Sequence, residues 1–247
     1  MKIKLLTISI VLIAATSSLV ANEPYRVGTT AANFLEIGFG STGAAMGDAA
    51  VASVEDLSAL YWNPGRLPYM KQSEAQFMYQ PWIADINTSF TAVGLKIRNL
   101  GTFAAALYQV AYGDMPVTTM QQQDGTGEMY SASDYAFTLS YGRKLAQWFA
   151  FGASAKYVAQ KIWHSNASAF AVDLGMVVDT DFFSRTGDRA DGLTIGMSIA
   201  NYGTRMKFDG MDLMQPIDLY PFEAGNYAYA EGQFKTLEWE LPLIFRI

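Results

Sequence analysis

The chain has no cysteine, a single histidine and few charged residues for its size. Charged residues make up 16% of the 247 residues, whereas a soluble domain usually carries about 25%. Without cysteine no disulfide can form, so a secreted form must be held together by its own hydrogen-bonded framework. The formal net charge of −6 also argues against a nucleic-acid partner, because such binding depends on basic groups that neutralise phosphates.

The first 21 residues have the pattern of a cleaved secretory signal. Lys2 and Lys4 form a positive start, and an apolar run follows from Leu5 to Ala15. Residues 17–20 then lead to Ala21, a small residue after which a signal peptidase can cut. The run is shorter than the roughly 18 residues that a membrane-spanning helix needs, and no cysteine is present for a lipid anchor. We therefore expect residues 1–21 to be removed and the mature protein to be exported.

Residues 22–70 differ in composition from the rest of the mature chain. Residues 29–60 in particular are rich in Ala and Gly. Apolar and small residues recur at helical spacing over Ala49–Leu60, which predicts a short helix. Pro64 and Gly65 should end it, because the residue before a proline is pushed towards an extended conformation. We expect a segment of small helices and turns rather than sheet.

Beyond residue 70 the period of hydrophobicity changes to two, which indicates strands. About eight strands are predicted, each near the 9–11 residues that cross a bilayer at a tilt. They fall at 73–80, 88–97, 101–111, 133–145, 149–160, 169–180, 193–200 and 238–247.

Alternation of this kind also fits a soluble β-sandwich. Here, however, the strands are long and the faces opposite the large apolar residues carry mostly Gly, Ala, Ser and Thr, where a solvated sandwich would carry Lys and Glu. The pattern therefore favours an all-β fold, a transmembrane antiparallel up-and-down β-barrel over residues 71–247. Aromatic residues near the ends of the apolar faces support it: Tyr79, Tyr108, Tyr135, Tyr141, Phe149 and Tyr157.

The connections between strands differ in length. Those near Asn99 and Ala146 are tight, whereas 112–132 and 203–237 are long. If the N-terminal segment is periplasmic, the long loops lie outside the cell, as in known barrels. An eight-stranded barrel is filled by its own side chains and has no room for an additional N-terminal segment. We therefore expect further strands beyond Ile247, so that the chain is a fragment.

No pattern in the sequence predicts catalysis, a cofactor or a metal. His164 is expected to be an exposed loop residue, because a metal site needs several convergent ligands. No G-x-S-x-G nucleophile elbow is present. Gly38, Gly40 and Gly43 have the spacing of the G-x-G-x-x-G motif of dinucleotide-binding sites, but they follow no strand of a βαβ unit. Their small size is expected to allow tight packing instead.

One ion pair is predicted on the inner wall. Asp173 lies within an apolar strand and should face the lumen. If the strands on either side form a hairpin centred on His164 and Ser165, Lys156 lies directly opposite Asp173. A cross-strand pair of opposite charge would fix the strand register. A role on a substrate path is the alternative.

Several ordered stretches resemble the PorV/PorQ family. The resemblance covers nearly all of the mature chain and implies a barrel similar to FadL-type outer-membrane transporters, with an N-terminal helical hatch in the lumen. The resemblance implies about fourteen strands, within the range known for outer-membrane barrels, of which about eight would be present here. Gly65 departs from the usual Ala of the family, and we expect the turn to tolerate it because glycine only loosens the backbone. The stretches are 32–38, 45–49, 58–64, 131–134, 139–145, 170–175, 201–203 and 208–213.

The resemblance implies a component of a type IX-like protein secretion system that binds or shuttles exported cargo without catalysis. Its expected partners are outer-membrane lipid, secretion-system proteins and the C-terminal domains of cargo, with the two long loops as contact surfaces. The alternative is a FadL-like channel for hydrophobic small molecules, with Phe39 among the residues that line its path; an outer-membrane hydrolase is a third hypothesis. The candidate hatch residues are Phe34, Met46, Trp62, Asn63, Pro64 and Gly65.

Overall fold

The computed structural model describes residues 30–218, 229–233 and 236–247. The predicted signal at 1–21 and the first part of the predicted hatch therefore lie outside the described residues. In the ranges given, helices are short, and none is both long and apolar enough to cross a membrane. They are the α-helices Ser41–Ala45 and Ala59–Trp62 and the 3-10 turns Asn33–Glu36, Pro64–Tyr69, Arg189–Asp191 and Met211–Leu213.

The sheet is antiparallel and mainly up-and-down, as predicted. The strands are β1 (Glu74–Pro81), β2 (Asn87–Ile97), β3 (Gly101–Pro116), β4 (Met129–Ala146), β5 (Phe149–Ile162), β6 (Ser165–Asp179), β7 (Thr194–Gly203), β8 (Asp209–Gly210), β9 (Met214–Asp218), β10 (Tyr229–Gln233) and β11 (Ile244–Arg246). Strands β1 to β7 pair in sequence order, β11 pairs with the free side of β7, and β8 adds to β6. This order confirms the prediction of a barrel-like all-β fold. Over the described residues the sheet does not close, because β1 and β11 are not paired with each other.

Two ends of the sheet are named by their connections. The turn end carries the connections after β2, β4 and β6, and the loop end carries those after β1, β3 and β5. Strand pairing continues past a bulge between Ala111 and Asp114, so the loop after β3 is shorter than predicted. The predicted loop 203–237 contains the β9–β10 hairpin. The predicted strand 238–247 is reduced to β11, preceded by a bridge between Trp239 and Met206.

The predicted helix over Ala49–Leu60 is wrong. Residues 51–53 form a turn and the helix begins only at Ala59. The Asp56 carboxylate accepts hydrogen bonds from the Ser58 backbone N–H at 2.8 Å and from its hydroxyl. Side-chain hydrogen bonds of this kind compete with the backbone hydrogen bonds of a helix. The segment before Ala59 therefore does not form the predicted helix, although small residues recur there at helical spacing.

The two faces of the sheet carry different residues. On the outer face large apolar side chains are exposed, for example Phe77 at 70% and Leu139 at 53%. On the inner face small or polar side chains such as Ala136 and Ser154 are buried. Tyr108 was predicted on the outer face, but it lies on the inner face at 5% exposure. Two aromatic residues of the N-terminal segment, Phe34 and Phe39, cover it.

The core lies between the inner face and residues 31–70, here called the inner segment. Leu57 and Leu67 of this segment are fully buried against the strands, as is Met70. Each such side chain contributes about 1.5–3 kcal/mol through removal of apolar surface from water. The segment runs from the loop end, where Ala31 N donates to Glu240 O at 2.9 Å, to the start of β1 at the turn end.

Candidate functional site

The inner segment meets the sheet at a row of glycines, one on each of three adjacent strands. Gly142, Gly152 and Gly175 are directly paired across β4, β5 and β6, and together they are called the glycine row. A β-carbon on Gly152 would lie 2.1 Å from Pro64 O, and one on Gly175 would lie 2.1 Å from Asn63 Oδ1. Glycine in a strand often marks such a close backbone approach. The row therefore forms a groove into which the Asn63–Pro64 turn fits.

Asn63 uses all of its side-chain polar atoms to brace the inner segment and to join it to β6. Its Nδ2 donates to Val51 O at 2.9 Å and to Met176 O at 3.1 Å. Its Oδ1 accepts from Gly65 N at 2.9 Å, which caps the 3-10 turn that begins at Pro64. Proline suits this first position because its missing N–H would have no partner there. The carboxamide is fully buried, so each of these bonds is shielded from water.

Gly65 lies directly against the backbone of β6. A β-carbon at this position would lie 2.9 Å from both the carbonyl carbon and the oxygen of Gly175. The turn or the sheet would have to shift to accept it. The absent side chain therefore allows close contact between the two backbones, and that the turn tolerates glycine stays a prediction.

Trp62 occupies a socket that other glycines provide. β-Carbons on Gly38 and Gly43 would lie 3.0 and 2.8 Å from its indole ring, which confirms the expected packing role of these small residues. The indole Nε1 donates to Phe39 O at 2.7 Å, and Trp62 O accepts from the Ser198 hydroxyl on β7 at 2.8 Å. The tryptophan thus links the inner segment to a fourth strand.

Aromatic rings fill the lumen above this contact. Phe39 lies at the centre, with its ring centroid 4.0 Å from that of Tyr108 and 5.0 Å from that of Phe90. The space left within this cluster is a cavity of about 20 Å³. Phe34 packs on Tyr108 at 5.4 Å, whereas Met46 is 40% exposed and lies outside the cluster. Of the predicted hatch residues, Met46 is thus the one that is exposed, while the others are buried.

Lys156 and Asp173 form a buried ion pair with 2.6 Å between Nζ and Oδ2. They are not directly opposite, because Lys156 pairs with Ala171 and Asp173 with Ser154. The turn is at Trp163 and His164, so the register differs by two residues from the predicted one. A shift of two keeps both side chains on the same face, and the pair forms diagonally.

Asn201 extends this ion pair into a network. Its N–H donates to Asp173 Oδ1 at 2.7 Å, its Oδ1 accepts from Lys156 Nζ at 2.9 Å, and its Nδ2 donates to Pro242 O at 3.0 Å. The residue has a φ of 64° at the point where the β6–β7 register shifts. The network therefore fixes a bulge and ties the chain before β11 to the inner wall.

A second polar group secures the inner segment at the turn end. Arg66 donates from Nε to Val54 O at 2.7 Å, and Tyr69 donates to Asp179 Oδ2 at 2.6 Å. Burial lowers the pKa of Arg66. Burial and the hydrogen bond to Asp179 raise the pKa of Tyr69, so the phenol stays protonated and keeps its role as donor.

At the loop end Asp212 holds the hairpin turn between β5 and β6. Its carboxylate accepts from the His164 N–H at 3.0 Å and from the Ser165 hydroxyl at 3.2 Å, and it lies 3.0 Å from His164 Nδ1. Partial burial acts to raise the pKa of Asp212, but the bonds from His164 and Ser165 outweigh it and lower the pKa. Within the described ranges no three His, Cys, Asp or Glu side chains are placed to hold a metal ion.

The family of the chain follows from a comparison with known families. A family model described as "Type IX secretion system protein PorV" matches residues 20–225, which includes the inner segment, the glycine row and strands β1 to β7. The chain belongs to the PorV family. Membership makes it an outer-membrane component of type IX secretion. No curated protein matches the chain.

The sequence alone did not single out the glycine row or Asn201. Each glycine lies among the small residues that alternate with large apolar ones in β4, β5 and β6. That the three glycines are neighbours depends on the register between the strands, which the sequence does not give. In this PorV family member the motif at Trp62–Gly65 and the row are two halves of one contact.

Proposed function

We propose that the protein binds the C-terminal domain of exported cargo at its loop end and passes the cargo on without catalysis. The observation that carries this proposal is the match to the PorV family over residues 20–225. The filled inner face supports it, because a surface already covered by the inner segment is not open to a partner. Recognition then falls to the connections at the loop end, where a barrel can vary its surface.

The loop end presents an adaptable apolar surface. Methionine side chains are unbranched and polarisable, and they are common where one surface must accept different partners. Trp82 and Ile83 add apolar area on the connection after β1. A surface of this kind suits cargo domains that share a fold but differ in sequence. Its exposed methionines are Met120 at 92%, Met129 at 55%, Met211 at 65% and Met214 at 48%.

Photo-crosslinking tests the cargo surface. A photoreactive amino acid replaces Met120 or Met211 in the full chain, expressed in a host with an active type IX system. A matched variant carries it at Gln147, in the exposed turn after β4. We expect crosslinks to cargo C-terminal domains from both loop-end positions and none from Gln147. Equal labelling at all three positions, or no labelling of cargo, would refute the proposed surface.

The alternative function is a channel for hydrophobic small molecules. It requires a path through the aromatic cluster around Phe39, where the cavity of about 20 Å³ has room for about one water molecule and not for an acyl chain. Passage would need displacement of the inner segment. Uptake of a labelled fatty acid by cells with and without the protein tests it, and dependence of uptake on the protein would favour the channel.

We also propose that export uses residues 1–21 as a signal cleaved after Ala21. N-terminal sequencing of protein extracted from outer membranes should then begin at Asn22. A sequence that begins at Met1 would show that the signal is retained.

A further inference from the structure

A cleft at the turn end concentrates positive charge in an otherwise acidic protein. It has a volume of about 540 Å³ and is lined by Lys96, Arg98, Arg143 and Lys144, with no Asp or Glu among its lining residues. These four residues define the cationic cleft. The whole chain has a net charge of −6, and a neighbouring cleft at the same end contains Glu55, Asp56 and Glu74 besides its lysine. The cationic cleft therefore stands out by its charge.

The two lysines are held in place by the inner segment. Lys96 Nζ donates to the Met70 carbonyl, and Lys144 Nζ lies 3.7 Å from the centroid of the Tyr69 ring. Neither partner is an anion. Arg98 and Arg143 form no ion pair with any residue in the described part of the chain. The cleft thus holds four positive groups without a carboxylate within salt-bridge distance, and its guanidinium groups are free to bind an anion.

The chemistry of the cleft favours a phosphate group. Guanidinium binds phosphate oxygens through two parallel hydrogen bonds, and ammonium groups add charge. Pro68 of the inner segment and Asn99 of the turn after β2 also line the cleft. The four basic residues therefore share one open cleft at the rim of the sheet.

The outer wall next to the cleft is apolar and aromatic. Phe103 and Tyr141 are in contact at 4.8 Å between ring centroids, and the Tyr141 hydroxyl donates to Leu100 O at 2.6 Å. Aromatic residues with one polar edge form the girdle of a membrane barrel at the level of the lipid headgroups. The exposed residues of this belt are Ile97, Leu100, Phe103, Tyr141, Leu145 and Trp148.

We propose that the cationic cleft binds the phosphate headgroup of an anionic phospholipid whose acyl chains lie along the apolar belt. A free phosphate ion would use the cleft but would gain nothing from the belt, so the adjoining apolar wall favours lipid. The inference rests on the outer-membrane location of the PorV family, but it does not depend on cargo binding at the loop end. The lipid would fix the depth of the turn end in the membrane.

Native mass spectrometry of the full chain in neutral detergent tests the proposal. The protein is titrated with phosphatidylglycerol and, separately, with phosphatidylcholine, and bound lipid is counted. We expect retention of one phosphatidylglycerol with a clear preference over phosphatidylcholine. The double variant R98Q/R143Q should bind phosphatidylglycerol about 30-fold more weakly, from roughly a fivefold loss for each basic group near an anionic lipid.

A charge-matched control is available at the other end of the sheet. K161Q/K207Q removes two positive charges from exposed positions at the loop end and should bind lipid as the parent does. R98K/R143K keeps the charge and should retain at least part of the affinity. Far-UV circular dichroism confirms that each variant has kept its strands before lipid is added.

Three outcomes would overturn the proposal. One is equal binding by R98Q/R143Q and the parent. Another is an equal loss in K161Q/K207Q, which would show that only the overall charge matters. The third is that inorganic phosphate saturates the cleft at the same concentration as the lipid, while phosphatidylglycerol binds no better than phosphatidylcholine. That result would indicate a site for a free anion. Loss of cargo crosslinks at Met120 with lipid binding unchanged would count against the proposed function alone.

Discussion

The contact between the inner segment and the glycine row differs in kind from the surface at the loop end. At the row, backbone meets backbone, and Asn63 satisfies all its polar atoms within 3.1 Å. At the loop end, flexible side chains such as Met120 are exposed to solvent. The first region accepts one arrangement of atoms, and the second can accept many. A single sheet thus provides a fixed interior and an adaptable rim, and variants should behave differently in the two.

The largest effect is expected at the glycine row. Gly152→Ala places a methyl group 2.1 Å from Pro64 O, and backbone on both sides prevents simple relief. We expect a loss of more than about 4 kcal/mol in the free energy of unfolding, in the range that overpacking and backbone strain reach in exceptional cases. Urea titration followed by tryptophan fluorescence measures it. Ala155→Val, on the exposed outer face of the same strand, should change stability by less than about 0.5 kcal/mol. Similar losses in both variants would contradict the close contact.

Next in size is the buried ion pair. Asp173→Ala leaves the Lys156 ammonium buried without its partner and should cost about 3 kcal/mol or more, as for other broken buried pairs. The double variant Lys156→Met/Asp173→Leu removes both charges and should recover part of that loss, though not the bond to Asn201 N. The same urea titration compares the three proteins. If the double variant is no more stable than Asp173→Ala, the carboxylate stabilises the protein through Asn201 rather than through the lysine.

A smaller effect of opposite sign is expected at Tyr108. Its hydroxyl is buried without a hydrogen-bond partner among the described residues, and an unpaired buried polar group costs free energy. Tyr108→Phe should therefore raise stability by about 1 kcal/mol while the packing on Phe39 is kept. Thermal unfolding in detergent would reveal the change. A clear loss of stability would mean that the hydroxyl has a partner in the working state.

The smallest effect concerns pH at the loop end. The pKa of Asp212 is lowered in the folded protein. Its carboxylate therefore stabilises the β5–β6 turn fully above the ordinary carboxyl pKa, and this stabilisation is lost as pH falls through the lowered value. Hydrogen exchange at His164 and Ser165 should increase only in acid. Asp212→Asn should show faster exchange at neutral pH, and the glycine row should be unaffected in both cases. Equal exchange in the parent and in Asp212→Asn at neutral pH would count against this role.

Alternation of side chains predicts most of the sheet but little of the contact inside it. Strands β1 to β7 follow from the period of two, which depends only on neighbours along each strand. The glycine row depends on register between strands, and a hairpin turn displaced from His164–Ser165 to Trp163–His164 changes every pairing across β5 and β6. Because the register differs by two residues from the predicted one, Asp173 keeps its predicted face of the sheet. The ion pair with Lys156 therefore forms as predicted, although the two residues are not directly opposite each other.

Tyr108 and the segment 49–60 show the limits of local pattern in another way. An aromatic residue among alanines looks like part of a lipid-facing wall, and only the rings of Phe34 and Phe39 make the inner position favourable. Helical spacing over 49–60 is overridden by the local bonds of Asp56. In both cases the structure is determined by contacts with distant residues or by side-chain hydrogen bonds. The periodicity of hydrophobic residues along the sequence does not reveal these contacts.

The inner segment also has a consequence for the order of assembly. Its bonds to the wall join residues far apart along the chain: Asn63 to Met176, Ala32 to Gln160 and Trp62 to Ser198, with separations of 113, 128 and 136 residues. Contacts of such long range form late and slowly. The part of the chain made before the strands therefore waits, apolar and unpaired, until β5, β6 and β7 exist. Until its last partner strand is in place, the exposed apolar surface makes the partly folded chain prone to aggregation.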